Sequence, residues 1–172
     1  QDPCGALTPA RGRREGRPAQ GGLTLDPDIG RDALRLLTSR EHSRRELQRK
    51  LLARGHDEVG IERALDDLSE RGLLSEERMA ETYVAERVRK GFGPVRIRQE
   101  LRQRGLPDTL IEPHLARTRQ DWLEAMAAAH DKKFGFTRAC DAKERARRSR
   151  FLEYRGFPTD LIAGFLCGDD LF

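Results

Sequence analysis

Basic side chains gather in two stretches of the chain, and the chemistry open to them is the binding of anionic groups. The first stretch contains Arg87, Arg89, Lys90, Arg96, Arg98, Arg102 and Arg104, with only Glu86 and Glu100 as acids. The second contains Lys132, Lys133, Arg138, Lys143, Arg145, Arg147, Arg148, Arg150 and Arg155, with Asp141, Glu144 and Glu153. Because such side chains bind phosphates by displacing counterions, both stretches are candidate contacts to nucleic acid or to an acidic protein surface.

Two interpretations of these basic clusters are open at this point. Like charges at this density cost stability unless something neutralises them, which favours a bound partner. The same residues could form solvated helix faces with charge pairs four positions apart, such as Glu100 with Arg104. The segment 57–81 is acidic instead, with nine acids against three arginines, so one side of the molecule is predicted to be acidic and another basic.

Enzymatic chemistry finds little support in the sequence. No glycine loop for phosphate, no nucleophile elbow and no opposed pair of carboxylates can be argued from spacing. The cysteines (Cys4, Cys140 and Cys167) and the four histidines are scattered, without metal-ligand spacing. We therefore expect reduced thiols, no metal, no cofactor and no catalytic residue.

The composition predicts an all-helical protein. Of the 172 residues, 36% are charged and only 6% aromatic, and the net charge is +4. Strand-favouring residues never cluster in an alternating pattern. Neither a membrane span nor a secretory signal is recognisable, so the expected location is the cytoplasm.

An internal repeat of about fifty residues organises the chain after its first thirty positions. The pairs Arg54-Gly55, Arg104-Gly105 and Arg155-Gly156 recur, each with a leucine four residues before the glycine, an isoleucine six after it and a leucine ten after it. Leucines four residues apart share a helix face, and a glycine at a helix end takes the left-handed conformation. Gly55, Gly105 and Gly156 are therefore predicted to be structural caps.

Three tandem three-helix repeats follow from this pattern, at residues 31–74, 75–118 and 119–172, stacked into an elongated curved solenoid. Arg148 stands where the other repeats have an apolar residue, and Phe151 with Leu152 is predicted to replace it. Pro113 and Gly164 fall inside the last helices, so a kink or a late start is expected in the second repeat. Residues 1–30, rich in glycine, proline and arginine, are predicted to be a disordered leader.

Several strings resemble the RecX family of recombination regulators. They are ALRLLTSREHS at 33–43, YVAER at 83–87, GFGPVRI at 91–97, AKERARR at 142–148 and FLEYRGF at 151–157. The resemblance implies a regulator of DNA repair and the SOS response, and a monomer is expected because the array is capped. Such a regulator binds the RecA recombinase filament in its groove and restrains strand exchange, ATP hydrolysis and coprotease activity. Single-stranded DNA, and possibly duplex DNA, would be further partners.

A different class of function competes with that expectation. Three-helix units could act as helix-turn-helix modules that read duplex DNA without any catalysis. That function needs a recognition helix with base-reading side chains, and the segments 108–115 and 159–166 have almost none. Sequence-specific readout is therefore the weaker alternative.

Overall fold

The computed structural model describes residues 27–136 and 141–167, and within them the chain forms helices and turns without any strand. The all-α prediction is confirmed. The helices of this part of the chain are α1 (Pro27–Leu37), α2 (Arg44–Leu52), α3 (Glu58–Glu70), α4 (Glu76–Arg89), α5 (Pro94–Gln103), α6 (Asp108–Leu115), α7 (Arg119–Phe134), α8 (Ala142–Arg155) and α9 (Thr159–Cys167). No helix in the described ranges is long and apolar enough to cross a bilayer.

Successive helices pack as three units of three, α1–α3, α4–α6 and α7–α9, called units one, two and three below. The repeated leucines and isoleucines form their interior, since Leu51, Leu101 and Leu152 are 0% exposed. Within the described residues, two apolar cores result rather than three. One core belongs to unit one alone, and the other runs without interruption through units two and three.

The first unit begins earlier than the sequence predicts. Helix α1 starts at Pro27, where the fixed φ of proline suits the first turn. Ile29 is 1% exposed and packs in the first core. Its Cδ1 atom approaches so closely that a Cβ on Gly60 would lie 2.7 Å from it. Residues 27–30 are therefore part of the fold, and the rest of the expected leader, 1–26, lies outside the described residues.

Proline does not delay the last helix of unit two. Pro107 has the extended backbone of an N-cap residue, and α6 begins at once with Asp108. The helix then continues through Pro113 to Leu115. The expected late start is wrong, because Pro113 is the sixth of eight residues and removes only one backbone donor after the helix has begun; the alternative, a kink, stays a prediction.

The middle helices of the units, α2, α5 and α8, meet end to end. Where α8 ends, the carbonyl oxygens of Arg155 and Gly156 accept hydrogen bonds from the backbone N–H groups of Gly93 and Val95, at 2.8 and 3.0 Å. Where α5 ends, the carbonyl oxygen of Arg104 accepts a bond from the Ser43 hydroxyl. We call these two places the 2–3 joint and the 1–2 joint.

Two of the recurrent pairs, Arg104-Gly105 and Arg155-Gly156, lie at the two joints. Gly55, Gly105 and Gly156 have φ of 87°, 95° and 87°, the left-handed conformation expected of the caps. At Gly105 and Gly156 the start of the neighbouring middle helix fills the space of a side chain, whereas nothing lies within 4 Å of a Cβ built on Gly55. The glycine thus ends one helix and also admits the next unit at close range.

Candidate functional site

The basic residues predicted in unit two are largely compensated by acids. Arg89 is exposed and has no ion pair among the described residues. Each of the others has a carboxylate partner, in the pairs Arg87–Glu100, Lys90–Glu86, Arg96–Glu100, Arg98–Glu112, Arg102–Asp108 and Arg104–Glu46. Three of these acids lie outside α4 and α5: Glu46 is on α2, and Asp108 and Glu112 are on α6. The stretch is therefore not the uncompensated cluster that the sequence predicts.

Glu100 is the centre of this compensation. It accepts hydrogen bonds from Arg87, from Arg96 at 3.1 Å and from the Tyr83 hydroxyl at 2.9 Å. Burial alone would raise the pKa of this carboxyl, but the bonds from the two arginines outweigh burial and lower the pKa. The guanidinium groups of Arg87 and Arg96 also stack on the Phe92 ring, with Cζ atoms 4.2 and 4.8 Å from its centroid. These arginines are fixed in place by structure before any partner arrives.

Arg148 in unit three is buried and cannot offer a free binding surface. It is 5% exposed. Its Nε donates to Glu144 at 3.0 Å, and its Nη1 lies 3.1 Å from Nε2 of His130. The Phe134 ring lies 5.1 Å from its Cζ. Its place four residues before Leu152 puts it on the core face of α8, so its predicted role as an exposed contact is corrected.

The other basic residues predicted in unit three are exposed: Lys132, Lys133, Lys143, Arg145, Arg147 and Arg150. Arg147 pairs with Glu144 at 2.9 Å but remains 63% exposed at its side chain. Arg138 lies outside the described residues. On α8, Lys143, Arg147, Arg150 and Tyr154 recur at spacings of three and four, so they share one helix face. We call these four residues the α8 stripe.

Tyr154 connects the α8 stripe with unit two. Its side chain is 72% exposed, and the Cζ atom of Arg96 lies 4.8 Å from its ring centroid. Arg96 also donates to the Tyr154 carbonyl oxygen at 3.0 Å. The stripe therefore ends at the 2–3 joint, where an exposed aromatic ring lies beside a guanidinium group.

At the 1–2 joint, Glu46 holds the ends of two units together. It is 6% exposed, and it accepts hydrogen bonds from Arg40 at 3.1 Å and from Arg104 at 2.5 Å. Burial raises the pKa of the Glu46 carboxyl, but the bond from Arg40 and the charge of Arg104 prevail, so its pKa is lowered. It also completes the Ser43 capping box of α2.

A cleft of about 330 Å³ opens beside the 1–2 joint. Its walls are α2 and the end of α5, and its lining residues are Arg45, Glu46, Gln48, Arg49, Leu52, Gln103 and Arg104. Arg104 alone among them belongs to the basic clusters that the sequence predicts to bind a partner. The available signal was the S-x-x-E pattern of Ser43 and Glu46, which marks the start of α2 and hence the phase of its faces.

No group of histidine, cysteine, aspartate and glutamate suited to hold a metal occurs within residues 27–136 and 141–167. Cys167 in α9 is an exposed free thiol.

Family models of three kinds match the chain in order along its length. They describe the first three-helix domain of RecX at residues 31–68, the second at 75–115 and the third at 120–166. The chain belongs to the RecX family. The three matched segments coincide with units one, two and three of the structure.

Curated RecX proteins are similar over most of their length. "Regulatory protein RecX" of Pseudomonas savastanoi pv. phaseolicola is 49% identical over 148 residues, which is 85% of this chain and 96% of the relative. The RecX protein of Halorhodospira halophila is 48% identical over 130 residues, or 76% of this chain and 81% of the relative. These relatives are named as regulators.

Solved RecX structures share the fold. The crystal structure of RecX from Lactobacillus salivarius has a TM-score of 0.69, with 22% identity, over 84% of this chain and 96% of that chain. A second crystal structure, of a regulatory protein RecX, has a TM-score of 0.66 over 80% of this chain and 70% of that chain. The arrangement of three-helix units is therefore the RecX arrangement.

Proposed function

We propose that this protein is a non-enzymatic regulator that binds the RecA recombinase filament in its groove, in the cytoplasm, as a monomer. Binding restrains strand exchange, ATP hydrolysis and coprotease activity during DNA repair. The observation that carries the proposal is the match of all three RecX domain models in chain order. Relatives with nearly half of their residues identical bear the name of regulatory proteins.

Unit three supplies the main contact in this proposal. The cations of the α8 stripe are exposed, and Lys143 and Arg150 have no carboxylate partner among the described residues. Lys132, Lys133 and Arg145 add to the positive charge of the same unit. Because exposed and uncompensated cations gain most from a polyanion or an acidic surface, they are better candidates than the paired arginines of unit two.

Unit two has a positioning role in the same proposal. Its arginines are engaged with Glu100, Glu112 and Asp108, and Arg155 of unit three donates to the Lys90 carbonyl oxygen at 2.7 Å. Breaking those contacts to reach a partner would leave carboxylates without their cations. Unit two therefore fixes the direction in which unit three presents the stripe.

Sequence-specific reading of duplex DNA is the less favoured function. The exposed residues of α6 are Asp108, Thr109, Glu112 and Pro113. Two of them are acids, which a phosphate-lined groove repels, and proline offers no donor to a base edge. This face of unit two does not suit a recognition helix.

Co-sedimentation with RecA filaments tests the proposal. The protein should pellet with RecA assembled on single-stranded DNA and should slow RecA ATP hydrolysis at substoichiometric amounts. RecA without DNA and DNA without RecA serve as the two controls. Failure to pellet with filaments, or an unchanged hydrolysis rate at equimolar protein, would contradict the proposed function.

A further inference from the structure

The cleft at the 1–2 joint has the features of a second binding site, separate from the α8 stripe. It lies between unit one and unit two, whereas the stripe lies on unit three. Its volume of about 330 Å³ is at the lower end of the range of ligand sites in proteins, about 300–1,000 Å³. It can hold a few side chains of a bound segment but not a folded domain.

Two cations of this cleft are free to bind an anion. Arg45 and Arg49 are both exposed on α2, and neither has an ion pair among the described residues. They are one helical turn apart and so face the same side. Like charges at this spacing repel, and carboxylates bound to both would remove the repulsion.

The local field at the cleft is positive on other evidence as well. Burial is the first cause that lowers the pKa of Lys50 on the same helix; the charges of Arg40, Arg49 and Arg54 lower this pKa further, against the opposing charge of Glu46. Glu46 does not neutralise the cleft, because Arg40 and Arg104 already occupy its two oxygens. An anionic ligand is therefore favoured over a neutral or cationic one.

The aliphatic stem of Arg45 is ordered before any ligand binds. A Cβ built on Gly105 would lie 2.8 Å from the Cβ and 2.5 Å from the Cδ of Arg45, so its aliphatic stem packs directly on that glycine. A side chain that is already ordered loses less conformational entropy on binding. The close approach of unit two thus fixes one of the two free cations.

The remaining lining distinguishes a peptide from a nucleic acid. Leu52 follows Arg49 by three residues on the same face of α2 and is 43% exposed, which offers an aliphatic contact. Gln103 offers an amide to a peptide backbone. No aromatic ring lines the cleft, whereas single-stranded DNA binds by stacking its bases on such rings.

We propose that the cleft between α2 and the end of α5 binds an acidic peptide segment that carries an aliphatic side chain. Two carboxylates of the segment pair with Arg45 and Arg49, and the aliphatic side chain covers Leu52. The proposal goes beyond regulation of the filament and does not depend on which protein supplies the segment.

The test uses the full chain and three fluorescein-labelled probes, measured by anisotropy in 50 mM salt. The probes are a twelve-residue peptide of glutamate and aspartate with one central leucine, the same peptide with serine for leucine, and a single strand of twenty deoxythymidines. The variants are Arg45→Glu with Arg49→Glu, and a matched double reversal elsewhere on unit one, Arg35→Glu with Arg63→Glu. Circular dichroism checks that both variants keep their helical content.

The acidic peptide should bind the parent chain, and the cleft variant should weaken binding at least tenfold, against less than threefold for the matched variant. The serine peptide should bind several-fold more weakly than the leucine peptide. Equal losses in both variants, or no peptide binding up to 1 mM, would overturn the proposal. A loss confined to the deoxythymidine strand would replace the peptide with a nucleic acid. Because RecA is absent from the titration, these results are independent of the filament assay.

Discussion

The Ser43 hydroxyl oxygen lies 2.5 Å from the carbonyl oxygen of Arg104, sixty-one residues away in the sequence. The same oxygen accepts a hydrogen bond from the backbone N–H of Glu46 at 3.1 Å. One hydroxyl thus caps the start of α2 and satisfies a carbonyl at the end of α5. Ser43 therefore caps a helix of unit one and also contacts unit two.

Replacing Ser43 with alanine should therefore cost more than losing an ordinary cap. An N-cap substitution costs about 0.5–2 kcal/mol, and the Arg104 carbonyl would lose its donor in addition. Ser75→Ala is the matched control, because Ser75 caps α4 through Arg78 without reaching another unit. Urea unfolding should give a free-energy loss for Ser43→Ala at least about 1 kcal/mol larger than for Ser75→Ala. Equal losses would mean that the bond across the joint adds nothing.

Alanine at the three capping glycines should destabilise the protein in the order Gly156, Gly105, Gly55. All three replacements meet the penalty of positive φ, about 1–2 kcal/mol. At Gly156 the new Cβ would also lie 2.5 Å from the backbone nitrogen of Arg96, which cannot move without moving α5. At Gly105 it meets the stem of Arg45, and at Gly55 it meets open space. Unfolding free energies in urea provide the measurement, and a Gly55→Ala loss as large as that of Gly156→Ala would contradict it.

Glu46→Gln should weaken the 1–2 joint in a pH-dependent way. Since the pKa of Glu46 is lowered in the fold, its charge stabilises the protein above about pH 4.5, and this stability is lost as the pH falls through the folded value. Removing the charge takes the carboxylate acceptor from the partly exposed Arg40 and Arg104, at a cost of about 1.5–3 kcal/mol near neutral pH.

The difference in unfolding free energy between the parent chain and Glu46→Gln should shrink when urea titrations are repeated at pH 3.5. Below about pH 4.5 the unfolded chain binds a proton at Glu46 that the folded chain binds only at a lower pH, so the charge contributes less to stability. A difference that stays constant from pH 7 to pH 3.5 would show that the carboxylate charge is not the source of the stability.

Burial of His42 should lower the stability of the protein in acid, starting at a higher pH than the loss caused by Glu46. It is 0% exposed, and neither ring nitrogen makes a hydrogen bond within the described residues, although Nδ1 lies 3.5 Å from a carboxylate oxygen of Glu46. Burial first, then the charges of Arg40 and Lys50, lower its pKa, and the nearby Glu46 only partly opposes them. Because the pKa is lowered in the fold, the unfolded chain binds a proton at His42 at a pH where the folded chain does not. Stability is therefore complete above about pH 6.5 and falls as the pH drops below it.

His42→Leu provides the comparison, since leucine fills the site without titrating. Between pH 7.5 and pH 5.5 the parent chain should lose stability relative to His42→Leu, as measured by urea unfolding at each pH. Parallel pH profiles for the two proteins would rule out His42 as the source.

Charge reversal on the α8 stripe should remove the inhibition of RecA. Lys143→Glu, Arg147→Glu and Arg150→Glu together change exposed residues only, so helical content should persist. If the cations meet single-stranded DNA, the slope of log affinity against log salt should fall by about 0.7 for each lost contact. An unchanged slope with lost inhibition would indicate contacts to protein instead. The matched control reverses Arg31, Arg35 and Arg63 on unit one, and inhibition lost equally there would refute the stripe.

Sequence reasoning reached the helical repeats because they depend on local spacing. The Arg-Gly pairs and the leucines around them report helix ends and helix faces, which the chain specifies within a few residues. The ion-pair partners of the basic residues cannot be predicted from local spacing in this way. Glu46 and Arg104 are fifty-eight positions apart and meet only because two units stack, so counting acids within one stretch missed their pairing.

Arg148 shows a different reason for error. Its position on the apolar face was visible from the spacing to Leu152, but arginine is rarely buried without a partner. Its partner Glu144 is visible four residues earlier on α8, but its second partner, His130, is on α7 and eighteen residues away, across a segment whose length gives no register between the two helices. Burial of a charged residue is therefore predictable only once the neighbouring helix is placed.

The end-to-end contact of α8, α5 and α2 aligns the backbone dipoles of these three helices in one direction. Each helix carries about half a positive charge at its beginning and half a negative charge at its end. At the two joints these opposite partial charges lie together and cancel, so they remain only at the outer ends of the series. The positive end is the start of α8, beside Lys143, and the negative end is the close of α2. Acidic side chains at the positive end, Asp141 and Glu144, and basic side chains at the negative end, Arg49 and Lys50, complement these charges, so each outer end of the series is neutralised by the chain itself.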